Sequence, residues 1–300
     1  MTGEIEGLFD PKFLGRLRAL FFKLRKRRQL KKKGVQLSPT AGFTREFKDH
    51  RHYSPGDDFR AVDWRLYARL AKLFIRVFEE VQEFHVHILI DRSRSMVDPW
   101  PEKRLTALRL AVALAYLGLV SQHRVSVISL ADDARRETPP LKGQGHIGDL
   151  LERMAALEFG GATDLEAGLR SFRPGRDRRG IVFIISDLFG RGVEQAERAL
   201  KHTLRWPAET HVVQVIEPRE RRPDLEGELQ LVDVETDELR RIWLTKREVD
   251  RYAEAFDKFV DGIQRACMRQ QVDYLTWTTD LSFEDMFMHL LMRGSALAGV

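Results

Sequence analysis

From Phe84 to Ile90 the chain is almost continuously apolar or β-branched, with Phe84, Val86, Ile88 and Ile90 alternating with His85, His87 and Leu89. Such a run predicts a strand buried on both faces. GIVFIISDLFG (180–190) repeats the design, and RVSVISLADD (124–133), THVVQVI (210–216) and VDYLTWTT (272–279) extend the set. Helical spacing fills the intervals at 102–122, 146–157, 193–204 and 246–271; in the first of these Leu105, Leu108, Ala111, Val112, Ala115 and Leu119 recur on one face. Alternating strand and helix predicts an α/β fold, a doubly wound and mostly parallel sheet with helices on both faces.

Three stretches depart from that alternation. ELQLVDV and LRRIWLT, separated by Glu235–Glu238, read as a β-hairpin inserted near 228–245. The tail SFEDMFMHLLMRGSAL opens with Ser282 as a cap and reads as a Met-rich apolar helix. At the other end, residues 11–33 place Phe13, Leu17, Leu20, Phe21 and Leu24 at helical spacing among cations, with no acid between them. Lys23, Arg25, Lys26, Arg27, Arg28, Lys31, Lys32 and Lys33 concentrate the charge. This segment is expected to pack on the body of the protein and to meet either an acidic partner or, peripherally, an anionic membrane surface. No nucleic-acid-binding motif follows it, so specific nucleic acid is not expected. Gly34 ends the helix, 38–42 is a loop, and LFIRVFEEV (73–81) reads as a further strand.

Composition narrows the class. With 300 residues, 43% hydrophobic and 32% charged, the chain is long enough for a substantial core, and its net charge of +5 is modest. The single cysteine, Cys267, excludes an internal disulfide and fits a reducing compartment; its helical setting marks it as a packing residue. No apolar run approaches the roughly 20 residues that span a bilayer. A cytoplasmic protein is therefore expected, placed at the inner face of the membrane if the basic segment binds lipid.

The candidate chemistry lies where strands end. Asp91 closes the first strand and Ser93 and Ser95 follow at alternate positions. Ligands bind in open α/β sheets beyond the carboxyl ends of strands, and hard oxygen donors without nearby cysteine suit Mg²⁺ or Mn²⁺. Gly160-Gly161-Ala162-Thr163-Asp164 opens a helix, and Ser186-Asp187 ends the 180–186 strand. Asp-x-Ser-x-Ser, a Thr and a strand-terminal Asp, in that order, resemble the metal-ion-dependent adhesion site of von Willebrand factor A domains. The resemblance implies a ligand set of Asp91, Ser93, Ser95, Thr163 and Asp187, with hydroxyls on the metal, carboxylates largely acting through water, and a partner's carboxylate completing the octahedron. It also implies a Rossmann-like topology.

A second motif precedes the first. Tyr53, Pro55-Gly56-Asp57-Asp58, Arg60, Asp63-Trp64 and Arg69, leading into two strands, closely resemble the DUF58 family over about residues 34–220. That family joins this signature to an A-type domain and typically works with MoxR-type AAA+ ATPases; many members carry N-terminal transmembrane helices, where this chain has a basic segment. The expected layout is a basic helix at 1–33, a smaller family-specific segment at 34–83, and the A-like domain at 84–300. Acids and arginines interleaved around Trp64 predict a buried or half-buried ion-pair network, the alternative being a second acidic cation site at Asp57, Asp58 and Asp63. His85 and His87 share a strand face but sit remote from Asp91, and read as surface or packing residues.

Enzymatic motifs are missing. A phosphatase of the haloacid dehalogenase type needs a second Asp where Ser93 stands, and no nucleophile elbow, phosphate loop or zinc helix is present. The expected function is a non-enzymatic, Mg²⁺-dependent adaptor that couples an unidentified client to a MoxR-type ATPase. The alternatives are a metal-dependent phosphohydrolase using the same residues, and a membrane or nucleic-acid binder acting through the basic helix.

Overall fold

The computed structural model describes residues 12–13, 15–19, 44–81, 84–161, 164–175, 180–190, 192–225, 227–232 and 239–293. Thr163, the cations from Lys23 to Lys33, the 34–42 loop and the hairpin turn lie outside them. The chain divides into two compact units, one of residues 32–83 and one of residues 1–31 with 84–300.

In the smaller unit β1 (Thr44–His52) precedes a short helix α1 (Trp64–Leu70) and β2 (Phe74–Val81). The two strands pair antiparallel, with an irregularity between Phe47 and Asp49. Asp63 caps α1 by accepting from the Arg65 and Leu66 amides, and Ala71 ends it in the left-handed region (φ 50°). The sequence predicted β2 but not β1, whose TREFKDHRH offers almost no apolar alternation to detect.

The larger unit runs β3 (His85–Asp91), α2 (Pro101–Val120), β4 (Arg124–Leu130), β5 (Ala134–Arg136), β6 (Leu141–Lys142), α3 (Ile147–Ala155), α4 (Leu165–Ser171), β7 (Gly180–Ser186) and α5 (Val193–Leu200). It continues with β8 (Ala208–Ile216), α6 (Pro218–Arg221), β9 (Gly227–Val232), β10 (Leu239–Leu244), α7 (Lys246–Arg269), β11 (Asp273–Thr278) and α8 (Phe283–Arg293). The main sheet has the order β11-β8-β7-β3-β4-β5, with β6 also on β4. All its pairings are parallel except those of β5 and β6 with β4. β9 and β10 form the predicted hairpin as a separate ribbon.

Period-two alternation fills both faces. Val86, Ile88 and Ile90 pack with Val125, Val127, Phe183, α2, α3 and α8; Leu89, Ile128, Val182 and Ile184 pack with α4, α5 and α7. Two predicted elements are shorter than expected. The 124–133 strand stops at Leu130 because Asp132-Asp133 turn back into β5, and the 193–204 helix stops at Leu200 before a 3₁₀ turn at Thr203–Arg205. Residues 12–13 and 15–19 are helical; Phe13 and Leu17 join the α8 side of the core, Phe13 meeting Phe283 edge-on at 5.4 Å. Arg16 pairs with Glu284 at 3.1 Å. No helix among the described residues is long and apolar enough to cross a membrane. Cys267 is buried, and burial pushes its thiol up to about 12, out of reach of redox chemistry at neutral pH.

His87 is a packing residue with a pH consequence. It is buried, stacks on His85 with centroids 3.9 Å apart, and meets Phe172 edge-on. Burial, with His85 and Arg136 adding to it, pushes its imidazole down to about 3. The folded state therefore refuses a proton that the unfolded chain accepts below its ordinary pKa of about 6.5, so stability falls as pH falls. Between pH 7 and pH 5 this amounts to about 2 kcal/mol. Urea melts at both values should show wild type losing about that much more than His87→Leu. Equal losses in the two proteins would place the acid sensitivity elsewhere.

Candidate functional site

Three loops meet beyond the carboxyl ends of β3 and β7. Asp91 is the last residue of β3 and is buried; its Oδ1 accepts the Ser93 amide at 2.9 Å, which bends the chain into a 3₁₀ turn at Arg94–Met96. That turn brings the Ser93 and Ser95 hydroxyl oxygens 3.0 Å apart. The glycine loop is held by its backbone: the Gly160 amide donates to the Arg92 carbonyl at 2.8 Å, and the Arg94 amide donates to the Gly161 carbonyl at 2.9 Å. Both glycines have positive φ, 152° and 80°, a backbone conformation that side chains disfavour. The loop thus docks two residues before Thr163. Asp164 caps α4 by accepting the Ala167 amide.

At the end of β7 the two polar residues part to opposite sides. On β7 it is Ser186 that faces Asp91, its hydroxyl donating to Asp91 Oδ2 at 2.6 Å. Asp187 faces the α2 side, where Lys103 Nζ donates to its Oδ2 at 2.8 Å, while its Oδ1 accepts the Phe189 amide at 3.0 Å. Lys103 also donates to Glu220 of α6 at 2.5 Å. Lys103 and Asp187 are fully buried. Burial opposes the Lys103 charge, but Asp187 and Glu220 outweigh it and hold its pKa above the ordinary lysine value. Burial and the neighbouring Asp187 push the Asp91 carboxyl up to about 6, against the hydrogen bonds from Ser186 and Ser93.

Neither Lys103 nor Ser186 was picked out from sequence. A lysine in the first turn of an amphipathic helix reads as solvated, and its partners lie 84 and 117 residues away. For Ser186 a signal existed: alternation along β7 puts 182, 184 and 186 on one face, and 187 on the other.

Asp91, Ser93 and Ser95 present the hard oxygen donors that suit a divalent cation. Octahedral coordination at about 2.1 Å separates neighbouring ligand oxygens by about 2.9 Å, close to the Ser93–Ser95 spacing. Burial first and the neighbouring Asp187 second disfavour the Asp91 charge, and a cation at this place would offset both.

A second group could also hold a metal. Glu209, His211 and Asp273 bring their donor atoms within 4.8 Å of one another at the amino-terminal ends of β8 and β11, away from the Asp91 loops. His211 is buried and lies 3.2 Å from Asp273 and 3.6 Å from Glu209. Its burial lowers its pKa despite both carboxylates.

The Tyr53–Arg69 signature forms a turn whose acids, Asp57 and Asp63, are half-buried and ion-paired, with partners other than the arginines expected. Asp57 binds Arg51 through both oxygens (2.6 and 2.9 Å) and accepts the Ser54 amide. Asp58 accepts the Arg60 amide, and Asp63 binds His50 at 2.9 Å besides capping α1. The acids are thus occupied by Arg51, His50 and backbone amides, not by the Arg60, Arg65 and Arg69 side chains. Gly56 supplies φ 105° after Pro55, and Tyr53 lies against Phe59 with centroids 5.2 Å apart. Phe59 and Trp64 are exposed. Among the described residues, Asp57, Asp58 and Asp63 do not form a group that could hold a metal.

The family model described as "Protein of unknown function DUF58" matches residues 49–259. The chain belongs to the DUF58 family. An uncharacterized protein of Mycobacterium tuberculosis is 27% identical to this DUF58 protein over 264 residues, covering 85% of this chain and 80% of the relative. Among solved structures, the conserved hypothetical protein BatB from Bacteroides thetaiotaomicron is similar with a TM-score of 0.37 and 16% identity, over 70% of this chain and all of that one. A von Willebrand factor type A protein from Catenulispora acidiphila gives 0.34 and 18%, over 47% and 35%.

Proposed function

We propose that this DUF58 protein is a non-enzymatic, divalent-cation-dependent protein-binding module. Asp91, Ser93 and Ser95, with Thr163 and Asp187, would hold Mg²⁺ or Mn²⁺. The bound ion would supply a Lewis-acidic position for a Glu or Asp carboxylate of a partner. The observation that carries this reading is the pair of hydroxyls 3.0 Å apart beside a buried carboxylate. Ser186 and the Ser93 amide orient that carboxylate, and the glycine loop fixes the turn bearing the serines. By family resemblance, the proposed partners are a MoxR-type AAA+ ATPase and a client protein, the chain acting as adaptor between them.

The test has two arms. Mn²⁺ titration of purified protein should show one site, and Ser93→Ala/Ser95→Ala should weaken it at least about 100-fold with its thermal melt preserved. Binding of the co-produced ATPase should then follow the metal, present with Mg²⁺ and lost with EDTA or in the serine variant. Undiminished Mn²⁺ affinity without the two hydroxyls would sink the assignment of the site. Metal-independent capture of the ATPase would remove the site from that interface.

A further inference from the structure

The ammonium of Lys103 stands where the metal reading requires no protein cation. It is fully buried, bonded to Asp187 at 2.8 Å and Glu220 at 2.5 Å, and 5.1 Å from the centroid of the Phe189 ring. It is also braced from outside. Glu220 sits on α6, whose capping residue Glu217 accepts from Thr279 and Arg219; Arg219 in turn binds Glu102 and lies 4.0 Å over the Trp100 ring. Both oxygens of Asp187 are engaged, one by Lys103 and one by the Phe189 amide.

Lys103 contacts Asp187 and Glu220 but not Asp91, whose bonds come from the Ser93 amide and the Ser186 hydroxyl. We infer that Lys103 is a built-in counter-cation that sets the metal affinity of this site: it neutralises and restrains Asp187, so that Asp187 contributes less to holding the ion than Asp91 and the serines do and the ion remains exchangeable. The inference rests on the metal reading above and adds a determinant of affinity to it. A lysine kept only to neutralise buried acids would leave that affinity unchanged when lysine and acid are removed together.

That difference gives the experiment. Lys103→Met/Glu220→Gln removes one charge of each sign, preserving the net charge while freeing Asp187. By Mn²⁺ titration followed by electron paramagnetic resonance, this variant should bind at least about tenfold tighter than wild type. Adding Asp187→Asn should cancel the gain. Lys103→Gln, which keeps a donor toward Asp187 but removes the charge, is the companion variant if the double one does not fold, and should show a smaller gain in the same direction. Equal or weaker Mn²⁺ binding by the folded double variant overturns the inference while leaving the metal site intact. Binding by the variant but not by wild type overturns the metal reading of the natural chain and the inference with it. If neither binds, both fall.

Discussion

Lys103→Ala is expected to cost about 3–5 kcal/mol in the metal-free protein, read as a lowered urea midpoint. The size follows from burial on both sides of the pair: Lys103 and Asp187 are fully enclosed and Glu220 nearly so. Removing the cation leaves two carboxylates in a poorly solvating environment, able to relax only by taking up protons. An exposed pair such as Arg221–Asp257 should contribute within about 1 kcal/mol, which makes Arg221→Ala the natural control. A Lys103→Ala loss no larger than that control would mean that water reaches Asp187 and that the triad is not enclosed.

A chain shortened to end at Phe259, the limit of the family match, should not fold cooperatively. That cut falls within α7 and discards β11 and α8. It removes Ile263, Ala266 and Cys267 from one face of the sheet, and Trp277, Phe287, Leu290 and Leu291 from the other. Losing a single buried Phe or Trp side chain costs about 3–5 kcal/mol, and here two go together with their neighbours, against a typical domain stability of about 5–15 kcal/mol. Without β11, the backbone edge of β8 is also uncovered. Size-exclusion chromatography and near-ultraviolet circular dichroism of residues 1–259 should report an aggregated or loosely packed species. A sharp melt near that of the full chain would show that the core closes without its last strand.

What could be read from sequence divides along physical lines. Buried parallel strands announce themselves through uninterrupted β-branched runs, so β3, β7, β8 and β11 and the polar residues at their carboxyl ends were accessible. The helices α2 and α7 followed from apolar spacing, and α7 carries a Thr245–Glu248 capping box at its start. β1 escaped because its charged sequence has no alternating signature, and β5 and β6 because two or three residues carry no period at all. The same limit governed the site. Asp91 and its two serines sit within five residues and show as a motif, whereas the contacts of Lys103 with Asp187 and Glu220 join segments with no local relationship. Arg51 was overlooked for a similar reason: it lies on the unseen β1, outside the motif whose Asp57 it binds.

The distance along the chain between the site's parts also has a kinetic side. The Ser186–Asp91 bond spans 95 residues and the Lys103–Asp187 bond 84, and both depend on β7 settling parallel beside β3. Parallel pairings across such separations close late, because the entropy of the intervening loop is lost before the contacts form. A chain still emerging from the ribosome thus carries Asp91, Ser93 and Ser95 exposed long before their surroundings exist. Assembly of the complete site is therefore a report that the central sheet has closed, and partners that require it would engage finished molecules and pass over immature ones.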